Sequence, residues 1–112
     1  MINGLLVDTQ YCTGCYTCEI ACRNEKEIPA GQWGIKLNQV GPFCVSEEED
    51  KFIWNYTPMV TELCDLCADR VAAGQKPACV HHCLADALEY GPLSELVAKM
   101  EAKGERAYLM IP

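Results

Sequence analysis

Four cysteines near the start of the chain constrain it more than anything else: Cys12-x2-Cys15-x2-Cys18-x3-Cys22. A loop with cysteines three apart can wrap three corners of a cubane iron–sulfur cluster, with its backbone N–H groups pointing at the sulfurs. Gly14 lets that backbone come close. The fourth cysteine stands four residues past the third, on the short helix that would follow the loop. It points away from the first cube and toward a second one.

One such run therefore calls for a partner run, and Cys64-x2-Cys67-x11-Cys79-x3-Cys83 supplies it. It opens and closes like the first, with a longer middle gap from Ala68 to Ala78. The spacing predicts crossed ligation of two [4Fe-4S] clusters. Cys12, Cys15, Cys18 and Cys83 would hold one; Cys64, Cys67, Cys79 and Cys22 would hold the other. Crossing would clip the two ends of the chain together. Two rivals exist. Zinc also takes Cys-x2-Cys pairs, but structural zinc sites read as two separated pairs. Disulfides need an oxidising compartment, and nine cysteines is an odd number. Eight thiolates fill eight positions, which leaves no iron open to a substrate.

A chain of 112 residues is one small domain, 1–112, able to bury only a modest core. Half of the residues are apolar and 22% charged, so it is globular and not disordered. The net charge of −7 speaks against nucleic acid as a partner. The N-terminal residues have neither the basic start nor the apolar run of an export signal. No stretch reaches the roughly 20 apolar residues that span a bilayer. The expectation is a cytoplasmic location without membrane insertion; the alternative is export together with a partner that carries the signal.

The fold class expected is α+β: a ferredoxin-like domain of short strands and helices in a pseudo-two-fold arrangement around two [4Fe-4S] clusters, with a hairpin inserted at about 35–60. Leu5-Leu6-Val7 reads as a strand, Cys18 to Asn24 as a helix ended by Ile28-Pro29-Ala30-Gly31. The hairpin arms would be Lys36 to Val45 and Phe52 to Val60, with a bulge at Gly41-Pro42 and an acidic tip from Ser46 to Lys51. Ala68 to Ala73 suits a short helix stopped by Gly74. Leu93 to Met100 reads as an amphipathic helix capped by Ser94 and closed by Gly104, with Leu96, Val97 and Met100 on one face. Ala107 to Ile111 would be a last strand or a tail lying on a partner.

Several residues are surplus to the ligand count. Cys44, the ninth cysteine, lies between Phe43 and Val45 and is expected to be a small buried hydrophobe. His81 and His82 adjoin Cys83 and would shape or tune a cluster. Arg23, after Cys22, either favours the reduced cluster by its charge or is a surface arginine. Trp33, Trp54, Tyr56 and Met59 are expected in the core; exposed, they would mean a fixed interface.

The segment Cys12-Thr13-Gly14-Cys15-Tyr16-Thr17-Cys18-Glu19-Ile20-Ala21-Cys22-Arg23-Asn24-Glu25, with Ile28-Pro29 and Gly31-Gln32-Trp33 after it, resembles the first cluster motif of a known family. That family is the iron–sulfur subunits of dimethyl sulfoxide reductase-type molybdopterin enzymes. Cys64-Asp65-Leu66-Cys67-Ala68-Asp69-Arg70-Val71, Gly74-Gln75-Lys76-Pro77-Ala78-Cys79-Val80 and Cys83-Leu84-Ala85-Asp86-Ala87-Leu88-Glu89-Tyr90-Gly91-Pro92 resemble its last motif, with leucine after Cys83 where the family usually has proline. The resemblance covers residues 3–40 and 60–100. Family members usually carry four such motifs; this chain holds the first and last, the two that pair in the family fold.

The resemblance implies an electron-transfer subunit that docks on a large molybdopterin-dependent catalytic subunit and exchanges electrons with an external donor or acceptor. It also implies that the Cys12 cluster faces that subunit. Asn3, Gln10, Tyr11, Thr13 and Tyr16 would surround this loop, and Glu62, Asp65, Asp69, Arg70 and Lys76 would form a solvated rim at the other. The residues themselves add that there is no catalytic constellation: no phosphate loop, no nucleophile with a base, no open metal. A free ferredoxin serving several enzymes, or a metal module that only shapes a complex, are the alternatives.

Overall fold

Leu5, Leu6 and Val7 are almost wholly buried, and the sheet is built around them. Burying each is worth about 2 kcal/mol. In the computed structural model, which describes residues 2–104 and 106–112, the elements run β1 (Asn3–Asp8), α1 (Thr17–Lys26), β2 (Ile35–Ser46), β3 (Lys51–Val60), α2 (Ala68–Ala72), α3 (Ala78–His82), β4 (Leu88–Pro92), α4 (Leu93–Lys103) and β5 (Ala107–Met110). The architecture is α+β. β1 is the centre strand of an antiparallel sheet in the order β4-β1-β5. Leu5 pairs with Tyr90 on one side and Met110 on the other; Val7 pairs with Leu88 and Tyr108. The last segment is thus a paired strand, not a loose tail.

Strand alternation sends Leu5 and Val7 to one face of this sheet. There they join Ile35, Val80, Leu88 and Met110 and three thiols, Cys18, Cys22 and Cys79. The core therefore merges with the cysteine sites. α4 packs on the sheet through Leu96, which is buried. Its N-cap is Pro92, not Ser94, because β4 runs directly into the helix and proline is well placed where the first N–H has no helical partner. Val97 is exposed, so the expected three-residue face narrows to Leu96 with the half-buried Met100. Gly104 closes the helix at φ 80°.

The hairpin arms occupy Ile35–Ser46 and Lys51–Val60, with register shifts at Val40/Phe43 and Cys44/Ser46. The first falls at Gly41-Pro42, since proline has no N–H to give to the ladder. β2 and β3 form a separate two-stranded sheet. Its base is buried at Ile35, Leu37 and Pro58, while the far half projects. The principal extents are 52 × 35 × 23 Å and the radius of gyration is 14.9 Å, against about 13 Å for a compact chain of this length.

Two expectations fail on this hairpin. Cys44 is exposed, not buried. Trp54 and Met59 are exposed as well, while Trp33 and Tyr56 are half-buried. Cys44 and Trp54 lie on the distal half of the ribbon, which projects from the core, whereas Met59 is exposed at its base opposite Lys36.

Candidate cluster-binding site

The first cysteine loop follows β1 directly. Gly14 has φ 73° and Tyr16 φ 63°, and this left-handed backbone turns the loop so that α1 starts at Thr17. The second loop repeats the device. Leu66 has φ 59° and Cys67 φ 51°, and α2 starts at Ala68. Leu66 stands two residues after Cys64, as Gly14 stands two after Cys12. Asp65 fixes the second turn by accepting the Cys67 N–H at 2.9 Å.

Cys18 and Cys22 are four apart in α1, so they sit about 6 Å apart along one side of the helix. Cys79 lies in α3 and Cys83 at its C-cap, with the same spacing. α1 and α3 pack against each other. The thiols then fall into two neighbourhoods. Cys12 feels the charge of Cys83 and Cys15; Cys18 feels Cys12, Cys15 and Cys83. Cys22 feels Cys67 and Cys64; Cys64 feels Cys67. Cys79 feels Cys67, Cys18, Cys22 and Cys64. Cys79, on α3, thus stands near thiols of both sets.

Burial dominates the acidity of most of these groups. It pushes the Cys18 thiol up to about 12 and the Cys22 thiol up to about 11, with the neighbouring thiols adding to each. Cys79 is raised further for the same reason, and Cys12 and Cys64 are raised too. Cys15 goes the other way, because the Thr17 hydroxyl and backbone N–H donate to its sulfur. Other N–H groups also face sulfur: Ala78 N–H to Cys67 Sγ at 3.4 Å, and Ala87 N–H to Cys83 Sγ at 3.3 Å.

A small, largely apolar cleft lies between the first loop and the hairpin base. Cys12, Cys15, Cys18 and Cys83 line it together with Leu37, Pro58 and Leu88. Among the described residues no three His, Cys, Asp or Glu side chains converge on a point where one metal ion would sit. Four thiols around an apolar space, with N–H donors at the sulfurs, fit a cluster.

Sequence reasoning missed three residues here. Gly34 is one: a Cβ on it would stand 2.5 Å from Cys22 Sγ. Tyr56 is another, since its ring packs on Gly14, where a Cβ would meet it at 2.6 Å. Glu19 is the third. It is buried, and its Oε2 accepts the Leu37 N–H at 2.7 Å, tying α1 to β2. An acidic residue inside a cluster motif gave no hint of that role. At the second loop Glu62, Asp65, Asp69 and Lys76 are exposed, and two charged residues there also form ion pairs: Asp65 with Lys26 at 2.7 Å and Arg70 with Glu25 at 3.6 Å. Asn3 is misplaced, because it pairs with Pro92 at the far end of β1 from the first loop. Arg23 lies over the Trp33 ring at 5.9 Å, and Lys36 over the same ring at 5.0 Å. His81 and His82 are exposed and stack edge to face, beside an open cleft with Arg70 and Lys76.

Comparison with known proteins agrees with this chemistry. The family model described as a 4Fe-4S dicluster domain matches residues 38–93, which is half of the chain. The sequence is 28% identical to the B subunit of the anaerobic dimethyl sulfoxide reductase of Escherichia coli, over 156 aligned residues that take in 86% of this chain and 76% of that protein. It is 26% identical to the B subunit of the polysulfide reductase of Wolinella succinogenes, over 87% of this chain and 80% of that one. The electron transfer subunit of the thiosulfate reductase of Salmonella typhi is 37% identical over 83% of this chain and 36% of its own length. The first alignment, at 156 residues, is longer than this chain of 112, so that relative carries a stretch absent here.

Proposed function

This protein belongs to the 4Fe-4S dicluster domain family, and on that footing we propose that it is an electron-transfer subunit that relays single electrons to or from a large molybdopterin-dependent catalytic subunit. The observation that carries this reading is that cysteines from the two ends of the chain meet: Cys12, Cys15 and Cys18 line one space with Cys83, and Cys22 is buried in the core with Cys79. Cys12, Cys15, Cys18 and Cys83 would hold one [4Fe-4S] cluster, and Cys64, Cys67, Cys79 and Cys22 the other. The repeated left-handed turn at Gly14 and Leu66 supports a pseudo-two-fold arrangement within one domain, 1–112. The relatives, each one chain of a reductase, support a catalytic partner.

Each cluster, when bound, takes up and returns one electron. The chain's own groups set the terms. Thr17 and the N–H groups of Ala78 and Ala87 direct positive dipole ends at sulfur, which favours the more anionic, reduced state. Leu37, Pro58 and Leu88 keep the first site apolar, which opposes added charge. α1 and α3 lie side by side with a thiol of each set on both helices, so two clusters would be neighbours. The first site would face the catalytic partner, since Tyr11, Tyr16 and Leu84 are exposed around it. The second would serve an external donor or acceptor. The chain would act in the cytoplasm and have no active site of its own.

Iron and acid-labile sulfide analysis of the native complex tests this reading, with about eight of each expected per chain. Dithionite reduction followed by electron resonance should show two interacting centres. Zinc without labile sulfide would overturn the clusters. A native chain that purifies alone at its monomer mass would overturn the subunit.

A further inference from the structure

The far half of the hairpin breaks the usual economy of a small protein. Phe43, Val45, Phe52 and Trp54 are each more than half exposed. They include both phenylalanines and one of the two tryptophans in the chain, while the core cluster holds neither type. Single exposed apolar residues need no explanation, but a cluster on one ribbon does. Pairing sets Phe43 opposite Ile53 and Cys44 opposite Phe52, so Phe43 and Phe52 point to opposite faces. Alternation places Trp54 on the Phe52 face. The ribbon is two-stranded, and such a hairpin alone is marginal in water. It needs cover on both faces, which a flat surface cannot give.

Charge chooses among the possible covers. Glu47, Glu48, Glu49 and Asp50 form the tip, all exposed, on a chain of net charge −7. That charge works against a second copy of the chain and against an anionic lipid surface alike. It complements an apolar cleft with a basic end on a different protein. At its base the ribbon adjoins the first cysteine site: Tyr56 packs on Gly14, and Pro58 lines the cleft with Cys12 and Cys83.

We propose that residues 40–55 are a docking arm, seated between apolar walls of the catalytic subunit with the acidic tip against a basic end. The inference rests on the subunit reading above. Seating the arm would also press the Cys12 loop onto the same partner, and so fix the entry point for electrons.

Hydrogen exchange on the native complex, compared with the free cluster-loaded chain, tests it. Amides of residues 40–55 should be protected in the complex and exchange rapidly in the free chain. The double variant Phe52→Ser, Trp54→Ser should keep its iron and sulfide content and its resonance signals, yet lose binding to the catalytic subunit by at least about tenfold. Undiminished binding, or a hairpin that exchanges equally fast in the complex, overturns the arm and leaves the subunit reading intact. So does a free chain that dimerises through the hairpin, or one that floats with anionic lipid vesicles only while Phe52 and Trp54 are present. A native chain with no catalytic subunit attached overturns both.

Discussion

Gly34 approaches Cys22 so closely that a Cβ on it would stand 2.5 Å from the Cys22 sulfur. Its backbone is not in the left-handed region, so the demand for glycine is one of space alone. Gly34 is buried at the entry to β2, and its carbonyl is held by the Thr61 N–H at 2.9 Å, so it cannot retreat freely. The expected result of Gly34→Ala is displacement of the Cys22 sulfur and damage to the cluster held with Cys64, Cys67 and Cys79. Electron resonance of the reduced protein should show that centre altered and the other one kept. An unchanged spectrum would mean that Cys22 does not ligate.

Glu19 links the first motif to the hairpin. Its Oε2 accepts the buried Leu37 N–H at 2.7 Å, and Lys36 Nζ lies 3.4 Å away. Glu19→Ala leaves that N–H without an acceptor and should cost about 2 kcal/mol in denaturant unfolding. Glu19→Gln keeps an acceptor oxygen and should lose clearly less. Equal losses would show that the carboxylate's charge, not the acceptor, is what matters.

Much of this site was legible in the sequence because cysteine spacing is a chemical demand. The two runs, the helix after each loop and the hairpin arms all follow from local rules of spacing, alternation and turn residues. What failed was long-range. Periodicity tells which of Leu96, Val97 and Met100 share a face, but not how far α4 rolls on the sheet. Alternation places Cys44 with Phe52 and Trp54, but not whether another layer covers them. Glu19 and Gly34 matter because β2 folds back onto α1, and no local pattern announces that contact.

Asp8 ends β1 just before the first cysteine loop and is buried. Lys103, in the last turn of α4, donates to its Oδ2 at 3.0 Å, and the Gln10 N–H donates to its Oδ1 at 3.1 Å. The bond to Asp8 raises the Lys103 pKa above its ordinary value. A raised folded pKa means that the contribution is full below the unfolded value of about 10.4 and lost as pH rises through the folded one. Lys103→Met should therefore destabilise the protein by about 1–2 kcal/mol at pH 8, less than a fully buried pair because the lysine is partly exposed. The gap from wild type should close as pH climbs past about 10.4. A gap that stays constant into that range would mean that the lysine acts through packing alone.

Cys44 is exposed on the ribbon and stands apart from both groups of thiols. Cys44→Ser should keep the full iron and sulfide content and change stability by less than about 0.5 kcal/mol. Loss of iron from this variant would mean that Cys44 is a ligand and one of the other eight is not.

The crossed ligation proposed above is the reading that the helix spacing tests most sharply. Cys18 and Cys22 lie one turn apart on α1, yet their neighbours differ: Cys12, Cys15 and Cys83 for the first, Cys67 and Cys64 for the second. Two self-contained motifs would need Cys22 to turn back toward Cys12. Cys22→Ser should then perturb the centre held mainly by the second motif, and Cys83→Ser the centre held mainly by the first. Anomalous iron scattering from crystals of each variant would show which cluster is lost or has lost a corner. Loss in each case of the cluster nearest in sequence would refute crossing. If crossing holds, removing both clusters also frees the N-terminal loop from the C-terminal half, since each cluster joins residues far apart in sequence, as Cys18 and Cys83 are. Iron chelation should then loosen the whole chain and not one lobe of it, visible as loss of exchange protection in β1 together with α3.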